Sequence, residues 1–276
     1  MSHSTALHAQ PRRRALRPAR GAQLDLMEEL RLALRRGQLR LAYQPIHRMR
    51  GADSSSFEAL LRWRHPVLGD VAPEHFIDLA EQDGLILELG DWAFRAAAAE
   101  CRRLRSVSGR SVHVAINVSA LQLSSRPGMQ IWLRHLQDID LPADALSVEI
   151  TERVMVRHPE AVAGQLRLLA DAGVRIALDD FGVGYSNLAL LGQLPVHALK
   201  FDRSLTQALV DSERHRTIAS SIVDMAHRLR MQVVAEGVEQ TAQAAITHEL
   251  GFDFAQGYWY GRPLSAAQAE QWLRAA

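Results

Sequence analysis

The chain contains eight short segments that are apolar or alternate between apolar and polar residues, and helix-like segments separate most of them. The strand-like segments lie at 41–46, 57–63, 114–119, 146–151, 175–182, 198–202, 232–238 and 252–259. Apolar residues at helical spacing mark 91–104, 121–138, 160–172, 206–229, 240–250 and 266–274. An open doubly wound sheet usually has fewer strands, so this alternation predicts an α/β fold of the TIM (β/α)8 barrel type.

The length and composition agree with one large domain. The 276 residues are 47% hydrophobic, which is enough apolar material for a single core. Met27, Leu30 and Leu34 recur at helical spacing, so an amphipathic helix leads into the barrel. We therefore predict a barrel domain at 24–276. The segment 1–23 is expected to be a flexible basic tail or linker, because its first 22 residues carry five arginines and no acidic residue.

Charge and cysteine content exclude several classes of partner and site. The net charge of +1 argues against DNA or RNA as the main partner. Cys101 is the single cysteine, which excludes an internal disulfide and a thiolate metal site and favours the cytoplasm. The longest stretch without Asp, Glu, Lys or Arg, 181–199, is interrupted by glycines and a proline, so no membrane span is predicted.

Polar side chains follow most of the predicted strands at their carboxyl ends, where barrel enzymes place their active sites. Glu149 alternates with Val148 and Ile150, and Asp179 alternates with Leu178, so both carboxylates are predicted to point into the barrel. The same alternation adds further polar residues on the inner face, namely Gln44, Glu58, Asn117, Lys200, Asp202, Glu236 and Gln256.

The acidic residues among these are too many for one pocket without counterions. An isolated acid after a strand is usually a helix cap or a loop residue, but this set has eight members: Glu58, Glu149, Glu152, Asp179, Asp180, Asp202, Glu236 and Glu239. Their mutual repulsion predicts bound cations, and a donor set of carboxylates and an amide suits two Mg²⁺ or Mn²⁺ ions. Because Lys200 and Arg62 would favour an anionic substrate, the chemistry points to hydrolysis of a phosphodiester.

A glycosidase is the alternative enzyme, with Glu149 or Glu152 and Glu236 as its carboxylate pair. Aromatic residues make up only 6% of the chain, which leaves few platforms for stacking sugars. That mechanism also gives no role to Asp179, Asp180 and Lys200.

The order and spacing of several motifs resemble the EAL-domain cyclic di-GMP phosphodiesterases over residues 25–275. The motifs are YQPI (43–46), EALLRWRHP (58–66), NVS (117–119), EITE (149–152), DDFGVGYSNL (179–188), LKFDRS (199–204), AEGVE (235–239) and QGYWYGRPL (256–264). The resemblance implies a modified barrel with one antiparallel strand, and hydrolysis of cyclic di-GMP to the linear dinucleotide pGpG. It also implies a homodimer.

The resemblance further implies roles for individual residues. Glu58, Asn117, Glu149 and Asp179 would hold the first metal, and Asp179 and Asp180 would contribute to the second. Glu236 would be a ligand of the second metal or the general base, and Lys200 would contact the nucleophilic water or the phosphate. The substrate would be bound by Gln44, Arg62, Asp202 and Gln256, while Glu152 and Glu239 would steady loops at the site.

Three residues depart from the pattern of this family, and none is a proposed metal ligand. Val183 stands where threonine is common, Asn187 where serine is common, and Phe201 where isoleucine is common. The first two lie in the loop that couples dimer contacts to the second metal. A catalytically silent receptor for cyclic di-GMP, acting through protein contacts, is therefore the second hypothesis. The retention of Lys200 and of every proposed ligand favours the enzyme.

Overall fold

The structure is a computed structural model that describes residues 20–51, 55–125, 128–151, 159–182 and 191–275. Its strands are β1 (Leu39–Arg48), β2 (Ser56–His65), β3 (Gly69–Val71), β4 (His113–Asn117), β5 (Leu146–Thr151), β6 (Arg175–Phe181), β7 (Ala198–Phe201), β8 (Gln232–Ala235) and β9 (Phe254–Gln256). The first helices are α1 (Arg20–Arg35), α2 (Pro73–Asp83), α3 (Ile86–Ser108), α4 (Ala120–Ser124) and α5 (Gly128–Asp138). The later ones are α6 (Pro159–Asp171), α7 (Arg203–Asp211), α8 (Glu213–Arg228), α9 (Thr241–Glu249) and α10 (Ala266–Ala275).

Eight of these strands close into a barrel, which confirms the predicted fold. The strand order is β1-β9-β8-β7-β6-β5-β4-β2-β3, and an additional pairing of β1 with β2 closes the ring. Strand β1 is antiparallel to both of its neighbours, β2 and β9, whereas the remaining barrel pairs are parallel. Strand β3, which the sequence analysis did not predict, extends the sheet outside the ring by pairing with the end of β2.

The helices differ from the prediction where one long apolar pattern covers two helices. The predicted helix 206–229 is divided at Ser212, whose backbone is extended and whose hydroxyl accepts a hydrogen bond from the His215 N–H at 3.3 Å. The segment 121–138 is likewise divided, into α4 and α5. An N-cap of this kind starts a new helix without breaking the apolar periodicity, so periodicity alone missed the boundary. Helix α2 was also missed.

The main core lies between the barrel and its helices. Val114, Ile116, Val148, Ile150 and Ile176 point outward from β4, β5 and β6 and are buried in this core. Their partners in alternation point into the barrel, which directs the polar residues of the candidate site inward.

A second apolar cluster packs the first helices against the barrel. Leu30, Trp63, Phe76 and Leu89 join α1, β2, α2 and α3 in this cluster. Helix α1 begins at Arg20, and the predicted tail otherwise lies outside the described residues, so the domain boundary stays a prediction. Among the described helices, none combines the length and hydrophobicity needed to cross a bilayer.

The stacked pair of Phe94 and Trp132 offers a test of the main core. Their ring centroids are 4.1 Å apart, and Phe94 is fully buried between α3 and α5. We expect Phe94→Ala to lower the free energy of unfolding by about 3–5 kcal/mol, since it leaves a cavity and removes the stack. Urea denaturation followed by circular dichroism measures this. Val67→Ala, at a side chain that is 84% exposed, should change stability by about 0.5 kcal/mol or less, and equal effects of the two variants would contradict the packing.

Candidate active site at the carboxyl end of the barrel

A buried lysine lies at the centre of the polar cluster. The Lys200 side chain is 1% exposed, and four strands or strand ends direct carboxylates toward it. Its Nζ lies 2.8 Å from oxygens of Glu149 and Glu236, 3.4 Å from Asp179 and 3.5 Å from Glu58. The structure therefore brings together five of the residues that strand alternation predicted to face inward: Glu58, Glu149, Asp179, Lys200 and Glu236.

Side-chain amides fix the orientation of Glu58. Asn117 Nδ2 donates to Glu58 Oε1 at 2.7 Å, and Gln256 Nε2 donates to Glu58 Oε2 at 2.7 Å. Gln256 also donates to Gln44 Oε1 at 3.2 Å, and Gln44 donates to the carbonyl of Gly261 at 3.2 Å. Both oxygens of Glu58 are thus held in place by side-chain amides.

The environment moves the pKa values of neighbouring carboxylates in opposite directions. Burial acts to raise the pKa of Glu58, but Lys200 and the hydrogen bonds from Gln256 and Asn117 hold it below its ordinary value. Burial and repulsion from Glu58 raise the pKa of Glu149 well above its ordinary range. Burial also raises the pKa of Glu236, to about 8. In the absence of cations the cluster therefore retains protons at neutral pH.

Lys200 stays charged despite its burial. Burial acts to lower its pKa, but attraction from Asp179, Glu149, Glu236 and Glu58 raises the pKa well above the ordinary value. The single ammonium group faces four carboxylates, so the cluster has more negative than positive groups. An excess of this kind attracts further cations.

The donor set fits hard divalent cations. Asp179, Asp180 and Glu236 offer carboxylate oxygens that all lie within 4.8 Å of one another. The buried Oε2 of Glu149 lies 2.8 Å from Lys200 Nζ but has no well-aligned hydrogen-bond donor among the described residues. Oxygen ligands with an incompletely satisfied buried carboxylate suit Mg²⁺ or Mn²⁺ rather than a soft metal.

A cavity of about 240 Å³ lies beside this cluster and includes an arginine that the sequence analysis did not assign. Arg203 lines it together with Tyr258 and forms a salt bridge with Glu239, with Nη2 and Oε1 3.1 Å apart. Gly237 has a φ of +66°, and a Cβ there would lie 2.3 Å from Arg203 Cγ. Only glycine lets the chain pass this close to the arginine. The position of Arg203 next to Asp202 in the LKFDRS motif was the available signal.

The remaining predicted site residues have more varied surroundings. Asp202 Oδ1 accepts the Ser204 N–H at 2.8 Å and caps α7, so its structural role is clear and its contact with substrate stays a prediction. Arg62 is half-buried on the inner face of β2 and donates to the Leu61 carbonyl at 2.9 Å. Glu152, like Val183 and Asn187, lies outside the described residues.

Three further aromatic side chains differ in their burial. Phe201, the departure on β7, is buried and meets Phe252 edge to face at 4.9 Å. Trp63 is fully buried in the second cluster, whereas Tyr258 is 49% exposed at the cavity mouth with the Arg262 guanidinium 4.2 Å from its ring centre. Of these two rings, Tyr258 is the accessible one.

Comparison with known proteins assigns the fold and cluster to a family. The sequence profile of the EAL domain matches residues 27–263. The chain belongs to the EAL domain family. This EAL domain is 41% identical over 254 residues to the cyclic di-GMP phosphodiesterase NbdA of Pseudomonas aeruginosa, covering 92% of the chain and 32% of NbdA. It is 33% identical over 251 residues to the cyclic di-GMP phosphodiesterase PdeR of Escherichia coli, covering 91% of the chain and 38% of PdeR.

Solved structures resemble this EAL domain closely. The MucR phosphodiesterase in complex with c-di-GMP superposes with a TM-score of 0.82 at 37% identity, covering 88% of this chain and 99% of that one. The cAMP-bound EAL enzyme Bd1971 gives a TM-score of 0.86 at 28% identity, covering 91% of this chain and 70% of that one. The chain spans about a third of the length of the curated relatives it matches.

The raised pKa of Glu236 predicts a pH-dependent stability of the metal-free domain. The Glu236 carboxyl group has an ordinary pKa of 4.5 and a pKa of about 8 in the folded state. Its contribution to the free energy of unfolding is therefore fully present below pH 4.5. This contribution is lost as the pH rises through about 8, because the buried group must then ionise. In EDTA, wild-type protein should therefore lose stability relative to Glu236→Gln between about pH 5 and about pH 9, by on the order of 1.4 kcal/mol per unit of pKa shift.

Thermal unfolding at several pH values measures this difference. Glu249→Gln, at an exposed residue of α9, should follow the wild type at every pH. Parallel curves for wild type and Glu236→Gln would show that Glu236 is not a buried, proton-retaining group.

Proposed function

We propose that this EAL domain is a phosphodiesterase that hydrolyses cyclic di-GMP to linear pGpG with two divalent cations, Mg²⁺ or Mn²⁺. The observation that carries the proposal is the buried Lys200 among the carboxylates of Glu58, Glu149, Asp179 and Glu236. The relatives named above as cyclic di-GMP phosphodiesterases support the choice of substrate.

The cations would be held by oxygen ligands that the barrel supplies at its carboxyl end. Glu58, Asn117, Glu149 and Asp179 would hold the first ion, and Asp179 with Asp180 would contribute to the second. The proximity of Glu236 to both aspartates supports its role as a further ligand or as the general base. When bound, divalent cations lower the pKa of water and neutralise charge on the phosphate.

The protein's own residues would orient the substrate and manage protons. Lys200 supplies a fixed positive charge beside the reacting phosphate, where charge increases in the transition state. Arg62 and Arg203 present guanidinium groups that match phosphate oxygens, and Gln44 and Gln256 present amides at the inner wall of the 240 Å³ cavity. Glu236, whose carboxylate lies within 4.8 Å of those of Asp179 and Asp180, would accept a proton from water once bound cations have displaced its own proton. A cytoplasmic location and a homodimer stay predictions.

The decisive experiment measures product formation. Purified protein is incubated with cyclic di-GMP and Mg²⁺ or Mn²⁺, and products are separated by chromatography, with EDTA as the control. We expect metal-dependent conversion to pGpG. Calorimetric binding of cyclic di-GMP without conversion would replace the enzyme by the receptor hypothesis.

Removing the charge of Glu58 tests the ligand set. We expect Glu58→Gln to lower kcat/KM by on the order of 10³-fold, or about 4 kcal/mol of transition-state stabilisation, since it removes a carboxylate while preserving the shape of the side chain. Glu249→Gln makes the same chemical change on an exposed helix surface and should leave the rate unaltered. Near-normal turnover of Glu58→Gln would overturn the assignment of Glu58.

Lys200 is expected to act on turnover more than on affinity. Lys200→Ala should lower kcat by on the order of 10²-fold with KM changed by about threefold or less, because a charge that acts mainly on the transition state is lost. Steady-state kinetics on protein whose folding is verified by circular dichroism provide the measurement. A rise in KM with unchanged kcat would assign Lys200 to ground-state binding instead.

A further inference from the structure

A larger cavity lies below the carboxylate cluster, at the opposite end of the barrel. Its volume is about 570 Å³, and it is lined by residues at the amino-terminal starts of the strands, including His113 of β4, Arg175 of β6 and Gln232 of β8. Its inner end reaches the undersides of Glu149 and Lys200. The cavity is thus separate from the pocket at the carboxyl end, and the charged cluster forms the partition between them.

Small residues in one layer of the barrel explain why this space exists. Bulky branched side chains usually fill the interior of a (β/α)8 barrel. Here the inward positions two residues before Glu58, Asn117, Glu149, Asp179 and Lys200 are all small. They are Ser56, Ala115, Ser147, Ala177 and Ala198.

The opposite wall of the cavity is apolar. Ile46, Val234 and Phe254 form it and, together with Ala115, make up a separate apolar cluster inside the barrel. The cavity therefore has one apolar wall and is large enough for a small molecule.

The outer rim of this cavity is strongly basic. The rim is lined by four arginines, Arg48, Arg105, Arg110 and Arg175. Asp144 is the acidic residue beside them. None of the four forms a salt bridge within the described part of the chain. Glu149, the other carboxylate in the lining, is already paired with Lys200 at 2.8 Å. Among the described residues the rim therefore carries an excess of positive charge, four arginines against Asp144.

Several of the rim groups lack the hydrogen-bond partners that buried polar atoms normally have. The buried Nε of Arg48 and the buried Nε2 of His113 have none among the described residues. The guanidinium of Arg48 lies 5.3 Å from the ring centre of Phe254, and Arg105 donates to the Val112 carbonyl at 2.8 Å. These contacts orient two arginines at the rim and leave further N–H groups available to a ligand.

The two histidines at the rim are neutral hydrogen-bonding groups. His197 Nδ1 accepts the Ile176 N–H at 3.1 Å, so Nε2 of the neutral ring is the donor. Burial and the nearby Arg175 lower the pKa of His113 to about 4 and also lower the pKa of His197. The arginines alone supply the charge, and the planar guanidinium fork matches the oxygens of a phosphate group.

We infer that this cavity is a second binding site, which takes a small phosphate monoester with an uncharged ring or chain. The phosphate would bind at the arginine rim, and the uncharged part would enter the cavity against the apolar wall at Phe254. This site is independent of the proposed hydrolysis, because its arginines and apolar wall take no part in the candidate active site.

Phenyl phosphate is the probe, because it joins a phosphate to an apolar ring. Titration calorimetry in EDTA, which keeps divalent cations from binding phosphate at the other pocket, should show one site per chain. Phenyl phosphate should bind at least about tenfold more tightly than inorganic phosphate or phenol, which each carry one half of the chemistry.

Variants at the two ends of the barrel locate the binding. The double variant Arg110→Gln with Arg175→Gln changes two exposed rim residues and should weaken binding at least about tenfold while the thermal midpoint is retained. Arg203→Gln, at the opposite mouth, and Arg214→Gln, on the exposed face of α8, should bind as the wild type does. Absence of binding heat, equal affinity for phenol, or unchanged affinity in the double variant would each overturn the inference.

Discussion

The burial of one ammonium group among four carboxylates is the constraint on which the functional end of this barrel depends. A lysine that is 1% exposed is tolerated only when its charge is matched, and a cluster of acids is tolerated only when its repulsion is relieved. Lys200 and the carboxylates satisfy each other in part, and the remaining excess of negative groups is relieved by protons or by cations. Binding of the proposed cations would therefore be coupled to proton release in this site.

The antiparallel first strand makes a specific contribution to that arrangement. Its register places Gln44 directly opposite Glu58, and β9 on its other side contributes Gln256. The three side chains form a hydrogen-bonded chain across the closure of the barrel, which orients the Glu58 carboxylate. The strand that closes the sheet thus contacts Gln256 through Gln44, and Gln256 in turn orients a proposed metal ligand.

The two ends of the barrel have opposite electrostatic character, although the same strands supply residues to both ends. The carboxyl ends carry the acids that attract cations, whereas the amino ends carry arginines without acidic partners among the described residues. Strand β6 shows this within seven residues, since it starts at Arg175 and bears Asp179 near its end. The charged cluster separates the two regions, and the layer of alanines and serines below it leaves the barrel interior less filled than in many folds of this type.

The sequence by itself determined the fold class, the eight barrel strands and the residues of the inner face, because strand alternation and the position at a strand end are local properties. It also contained the EAL motifs. The tertiary structure alone decided which groups share one charge environment. Opposite pKa shifts in Glu58 and Glu149 arise from partners on other strands. The Ser212 boundary between α7 and α8 is a local cap that apolar periodicity does not detect. The Arg203 contact with Glu239 and the basic cavity, in contrast, depend on residues far apart in sequence, whose distances no local pattern specifies.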